Sequence, residues 1–512
     1  MTNAKPRLLS RLLAAGGLAA ALAAAPAVAK ENVLTVGNPF APLSLDPALS
    51  GNGRAGTWLF PTYEPLVRTL ADGSLEPALA TSWEMSDDLK VLTVTLREGV
   101  TFSNGEAVNA AAVKKSIDYF VGRSGPFAAN LAKLTGVEVV SDHVLTMTFS
   151  EPTPVAMKLF DHNWNAGWII CPAGVDNPET LLTKSCGAGP YVLDADASVS
   201  GKSYTYLPNP SYYNAEARHW DRIKVSVFLD QNSGVQALRA NQLNVLISDP
   251  MTAHMNRSIL GDRIRLIHSP VQWAGLVLMD RAGDINPALG DVRVRRALNM
   301  GIDRNLVAQA MFGDLAYGTA QLQVKGFDGY QEGNEAVNPF DVDAAKALLA
   351  EAGFADGLTV KAGYVSNTLN NALFQAYADQ LSQIGVTLEP EIYQGIGASL
   401  QARKERKIET LLFNTNSGVP NLAMVQTLSP NGSLNPYASS DPELSALIAA
   451  ASRLTGEEAR QAWDAVYAKV VELAWFLPVI GIDAAYLATS NVEVPEIGQS
   501  IVIDITKIRP RS

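Results

Sequence analysis

Cysteine is nearly absent from this 512-residue chain, which carries only Cys171 and Cys186. Histidine is almost as scarce, with five residues scattered along the sequence. No HExxH helix exists to hold a catalytic zinc ion, and no histidine lies near either cysteine to complete a metal site. A G-x-S-x-G elbow is also missing, so a hydrolase serine has no positioned turn. Ser200-Gly201-Lys202-Ser203 ends like a phosphate-binding loop, but Asp196 stands where the first glycine of that loop must be. Ala188-Gly189-Pro190 lacks the spacing of a dinucleotide fingerprint. Neither a catalytic residue, nor a cofactor, nor a metal is therefore expected. Beyond residue 29 there is no run of roughly 18 uncharged apolar residues, so no membrane-spanning helix is predicted. Low-complexity stretches and short repeats are lacking too, which argues against solenoids and propellers.

What the chain does have begins at its front end. Lys5, Arg7 and Arg11 precede an uncharged Leu/Ala-rich stretch over 12–25, and Ala27-Val28-Ala29 offers a small-x-small cleavage site. That combination reads as a secretory signal peptide over residues 1–29, with Lys30 as the new N-terminus. No cysteine follows the apolar stretch, so a lipid anchor is not expected. The net charge of −11 becomes about −14 when the three cationic residues of the leader are removed. Such an acidic chain repels nucleic acid and anionic lipid surfaces. The remaining length points to two or three domains. In an oxidising compartment Cys171 and Cys186 are expected to form a disulfide; a free pair is the alternative. The closed loop would contribute roughly 3 kcal/mol in the chain-entropy account.

The pattern along the chain alternates between strand and helix. Residues 91–96 are rich in β-formers, and 137–140 with 144–149 flank a Ser-Asp-His turn as a hairpin. Asn109 is placed to cap a helix with Val113, Ile117 and Phe120 on one face. Asp291 and Asp303 sit at the starts of two more helical runs. Strand-like segments fall at 191–193, 203–207 and 223–228. Helical stripes through Ala345 and Leu349, and through Leu373, Tyr377 and Leu381, precede a strand over 386–393. Thr455-Gly456-Glu457-Glu458 has the form of a capping box opening a helix with Trp463, Val466, Tyr467 and Val470. The fold class is α/β with two lobes and mixed sheets.

Several blocks then resemble a known family. They include Leu45-Asp46-Pro47, Tyr63-Glu64-Pro65-Leu66-Val67, Leu79-Ala80-Thr81-Ser82-Trp83-Glu84 and Leu96-Arg97-Glu98-Gly99-Val100-Thr101-Phe102. Gly187-Ala188-Gly189-Pro190-Tyr191, Asn209-Pro210-Ser211-Tyr212-Tyr213, Val292-Arg293-Val294-Arg295-Arg296-Ala297-Leu298 and Phe476-Leu477-Pro478 follow in order. Together they are similar to family five of the bacterial extracellular solute-binding proteins, the dipeptide, oligopeptide and nickel type. The resemblance implies a periplasmic-binding-protein-like flytrap of class II with three domains. Domain I would comprise 30–61, 187–268 and 482–512, domain II 62–186, and domain III 269–481. It also implies a periplasmic component of an ABC importer that hands a small polar solute to permease and ATPase subunits, as a monomer. A dipeptide, oligopeptide or nickel-chelate binder is the alternative within the family, and a secreted hydrolase is the alternative outside it. The triplet Arg293, Arg295, Arg296 is expected to be solvated or salt-bridged near its helix start.

The pocket departs from the peptide binders. Their Gly-Trp segment carries Asp residues, one of which pairs with the peptide amine. Here the matching stretch, 413–420, is Phe-Asn-Thr-Asn-Ser-Gly-Val-Pro and holds no carboxylate. A buried ammonium would go unpaired there at a cost of several kcal/mol. Asn414, Asn416 and Ser417 offer neutral donors and acceptors instead. Trp273 and Tyr393 are candidate aromatic walls, and Trp164 is a candidate roof. Phe40, Asn52 and Arg54 flank the turn where the first domain approaches the cleft.

Overall fold

A computed structural model describes residues 31–50, 55–430, 432 and 434–511. The leader, its cleavage site, Asn52 and Arg54 lie outside the described residues.

Two sheets organise the chain. The smaller has four strands in the order Ala80–Met85, Val91–Leu96, Val144–Phe149, Leu134–Ser141, antiparallel throughout. Val91–Leu96 alternates buried and half-buried residues, as a strand with one covered face must. Ala110–Gly122 covers that face with Val113, Ile117 and Phe120, and the Asn109 side chain accepts from Ala112 N–H at 2.9 Å. Phe102 is fully buried in the same core, whereas Trp83 is half-buried at its edge. Gly99 and Gly105 take φ of +71° and +88°, the turn conformation their positions call for.

The larger sheet has eleven strands and is mixed. Val33–Asn38 runs parallel to both Arg222–Val227 and Val245–Ser248. At the far edge, Leu358–Val365 runs parallel to Val386–Tyr393 and to Thr410–Asn416. Between these halves lie two long antiparallel partners, Ile264–Leu278 and Phe476–Thr489. They pair along nearly their whole length, with a register break between Pro270 and Gln272. Proline has no N–H to give to a ladder, so the break falls where a hydrogen bond is already missing. The neighbours change at the same level. Phe476–Thr489 pairs with Val245–Ser248 on one side of the break and with Ala316–Thr319 on the other.

Asp291 and Asp303 cap their helices, accepting from Arg293 N–H at 2.8 Å and Leu306 N–H at 2.9 Å. Trp463, Val466, Tyr467 and Val470 are buried as the stripe requires, but the capping box does not form. Thr455 stands at the N-cap without a side-chain bond, because Gly456 adopts φ +61° and turns the backbone out of the box geometry. Arg295 also departs from expectation. It is buried, and its guanidinium donates to the carbonyls of Leu289, Gly290 and Leu473 at 2.9–3.0 Å. Carbonyls at helix and turn ends need donors, and this arginine supplies three. Arg293 remains exposed and pairs with Asp291. The disulfide Cys171–Cys186 is present, with Cα atoms 5.4 Å apart.

Candidate ligand-binding site

A cavity of about 480 Å³ lies beside the break in the long strands. One wall comes from the lobe of the small sheet, with Phe127, Asn130, Asn163 and Trp164. The other comes from the ends of Ile264–Leu278 and Thr410–Asn416 and the turn after them, with Trp273, Asn416 and Ser417. The walls nearly touch: a Cβ added at Gly418 would come within 3.4 Å of the Trp164 indole. Phe127 meets Trp164 edge-to-face with centroids 6.2 Å apart.

No described residue of the lining carries a charge. The polar groups are amides and hydroxyls, and each is set by its own partners. Gln272 Nε2 donates to Asn416 Oδ1 at 2.8 Å, which occupies the carbonyl of Asn416 and leaves its NH₂ as the group on offer. Asn163 is held through its own N–H, which donates to Asp161 Oδ1 at 2.8 Å, while its Oδ1 is buried with no protein partner. Asn130 Nδ2 is likewise buried and unmatched. Both atoms are shut inside the wall, where a polar atom without a partner is costly, so the amide that the cavity itself meets is that of Asn416.

Several of the residues singled out from the sequence meet here. Trp164, Trp273, Asn416 and Ser417 all line the cavity. Ser417 uses its hydroxyl internally, accepting from Val324 N–H at 3.2 Å and facing the Leu322 carbonyl at 3.4 Å. Asn414 does not join them; it lies two residues back along the strand, opposite Ala274, and is exposed. Residues 413–416 continue the strand. Tyr393 packs in the core, where a Cβ on Gly363 would strike its ring. Phe40 is 48% exposed on the loop after the first strand and does not line the cavity. The reading from sequence missed Phe127, Asn130, Asn163, Gln426, Tyr467 and Ile501, all of which do. No local motif marks them, because they reach the cavity from separate elements.

A larger groove, about 800 Å³, lies over the buried Arg68 and Asp504. Two of its cations are paired, Arg68 with Glu64 beneath the groove at 2.8 Å and Lys507 with Glu76 at 2.7 Å. The cavity between the lobes is the better candidate because both lobes build it.

Beneath this cavity His162 joins the two parts of the chain that flank it. Its Nε2–H donates to the Ser500 carbonyl at 3.2 Å, and Nδ1 faces Thr69 N–H at 3.4 Å. Burial, with Arg68 and Lys507 adding to it, pushes its pKa from 6.5 down to about 3. The folded ring therefore stays neutral where the unfolded chain takes up a proton, and stability is lost as pH falls below 6.5. The neighbouring Asp161 works in the opposite sense: burial raises it to about 6, so its contribution grows as pH falls through that value. Replacing His162→Gln keeps a donor for Ser500 and removes the titration. Between pH 6.5 and 5 the wild type should lose roughly 2 kcal/mol more than the variant, at about 1.4 kcal/mol per pH unit. Parallel stability–pH curves from urea titrations would show that the histidine does not couple.

Comparisons with known proteins agree with this geometry. The model of bacterial extracellular solute-binding proteins, family 5 middle, matches residues 74–433. The glutathione-binding protein GsiB of Salmonella typhimurium is 27% identical over 388 residues, 73% of this chain and 72% of its own. Among solved structures, NikA from Brucella suis in complex with Fe(III)-EDTA is 22% identical with a TM-score of 0.80, covering 94% of this chain and 100% of its own. The binding protein AgaA from Agrobacterium tumefaciens R10, in complex with agropinic acid, is 20% identical with a TM-score of 0.76, covering 94% and 99%. With a two-lobed fold, a cavity walled by both lobes and a family match across most of its length, the chain belongs to the bacterial extracellular solute-binding proteins of family 5.

Proposed function

We propose that this protein is the periplasmic binding component of an ABC importer and captures a small, uncharged polar solute without transforming it. The observation that carries the reading is the cavity between the lobes, whose described lining has no charged side chain and is polar only through amides and hydroxyls such as Thr415, Asn416 and Gln426. An ammonium or carboxylate entering it would lose hydration and meet only neutral dipoles, whereas hydroxyl or amide groups exchange one set of hydrogen bonds for another. The named ligands of similar proteins differ widely, including glutathione, agropinic acid and Fe(III)-EDTA. The fold is thus compatible with many solutes, and the lining sets the class. Export through the leader, monomeric action and handover to separate permease and ATPase subunits complete the proposal. The hinge is the pair of long strands, which change neighbours at the Pro270 break. Such two-strand crossings suit rigid-body closure around a ligand.

Mass spectrometry of solute released from natively purified protein should identify a small neutral polar compound, recovered unchanged after incubation. At 100 times its Kd that compound should stabilise the fold by roughly 2.7 kcal/mol and shrink the radius of gyration in small-angle scattering. Turnover of the solute, or an unaltered radius at saturation, would contradict the reading.

A further inference from the structure

A second, smaller void of about 30 Å³ lies behind the main cavity. Its lining includes Thr57, Ser248, Gln272 and Asp483. Only two residues line both spaces, Asn416 and Ile501. Asp483 is the one charged side chain among the described residues of either lining. A carboxylate is therefore present beside the wall of the main cavity but does not line it.

That wall has unusual backbone. Ile501 adopts φ +66° and ψ −41°, a left-handed conformation that a β-branched side chain resists. Val502 N–H donates to the Ser500 carbonyl at 2.7 Å, which closes a tight three-residue turn around Ile501. The same carbonyl receives the buried His162 ring, and Ser500 Oγ–H donates to the Val502 carbonyl at 2.9 Å. Strain of this kind persists only where the surroundings over-determine it. Here the result is an 8% exposed isoleucine held between the two spaces.

We infer that Ile501 is a specificity-determining residue, a partition that keeps bound solutes away from Asp483 and so excludes free amines. This rests on the reading of the main cavity as a neutral solute site. Among the described residues the partner of the Asp483 carboxylate is His268, whose Nδ1 meets Oδ2 at 2.5 Å, and Asp314, itself paired to Arg257, is near enough to repel it. Burial raises the carboxyl to about 6, and it is ionised at pH 7.5. Removing the partition would let a ligand ammonium approach it. Glycine at 501 also fits the positive φ without strain, so the variant should fold.

The experiment compares alanylalanine with its N-acetylated form by calorimetry at pH 7.5. The protein with its native Ile501 should show no preference for the free amine. Ile501→Gly should bind alanylalanine at least tenfold tighter than the acetylated peptide, and adding Asp483→Asn should abolish that preference. Ile501→Ala provides the same opening if the glycine variant does not fold. Absence of an amine preference in the opened variants, or its survival with Asp483→Asn, would overturn the partition. A free-amine preference in the unaltered protein would instead refute the neutral-solute reading, so the two failures are distinguishable.

Discussion

Arg281→Ala should cost about 3–5 kcal/mol of folding stability, the sum of lost ring packing and orphaned carbonyls. Arg281 is 3% exposed and has no carboxylate partner among the described residues; burial and the nearby Arg295 push its pKa down to about 9. Its Nε donates to the Leu278 carbonyl at 3.0 Å, and Nη2 to those of Thr427 and Leu434 at 3.0 and 2.8 Å. The guanidinium also lies over the Trp475 and Phe476 rings at 4.8 and 5.1 Å. One side chain thus ties the end of a central strand to the end of helix Pro420–Thr427, whose residues Gln426 and Thr427 line the cavity. Lysine would keep the charge but not the fork, so Arg281→Lys should recover less than half of the loss. Urea unfolding followed by tryptophan fluorescence measures both. A shift below about 1 kcal/mol for alanine would mean that water satisfies the three carbonyls without cost.

The Cys171–Cys186 bridge should be the next largest contributor, roughly 3 kcal/mol for its separation of 15 residues. It closes the loop just before Gly187 and Gly189, which lie directly against the backbone of Thr62 and Tyr63. A Cβ on Gly189 would stand 2.5–2.7 Å from those backbone atoms, so this close approach admits no side chain. The bridge also fixes Cys171, whose Sγ accepts from Gly174 N–H at 3.1 Å. Replacing both cysteines by alanine, or reducing the native protein, should lower the unfolding midpoint and expose residues 178–184 to limited proteolysis. Intact mass before reduction should lack two hydrogens, and two freely alkylated thiols at that stage would contradict the disulfide. Unchanged stability after complete reduction would show that packing against Thr62 and Tyr63 suffices by itself.

Secondary structure was legible wherever a segment carried its own signal. The strands at 91–96 and 386–393 announce themselves by composition, and the helix after Asn109 by its cap and its 3.6-residue stripe. Thr455 shows the limit of such local reading, since a glycine one residue on adopted a backbone conformation that the pattern did not disclose. Arg295 shows another, because nothing nearby in sequence says that the carbonyl of Leu473 will need a donor.

The site divides along the same line. From the sequence alone came the missing carboxylate in 413–420 and the choice of Trp164, Trp273, Asn416 and Ser417 as candidates, which the fold brings beside one cavity. Tertiary structure alone decided that Tyr393 faces core, that Asn130 and Asn163 line the cavity, and that Ile501 borders both that cavity and the smaller void lined by Asp483. The physical reason is range. Caps, stripes and strand alternation are set by neighbours within a few residues, whereas a cavity wall is assembled from segments hundreds of residues apart, whose meeting is fixed by packing and by the satisfaction of buried polar groups.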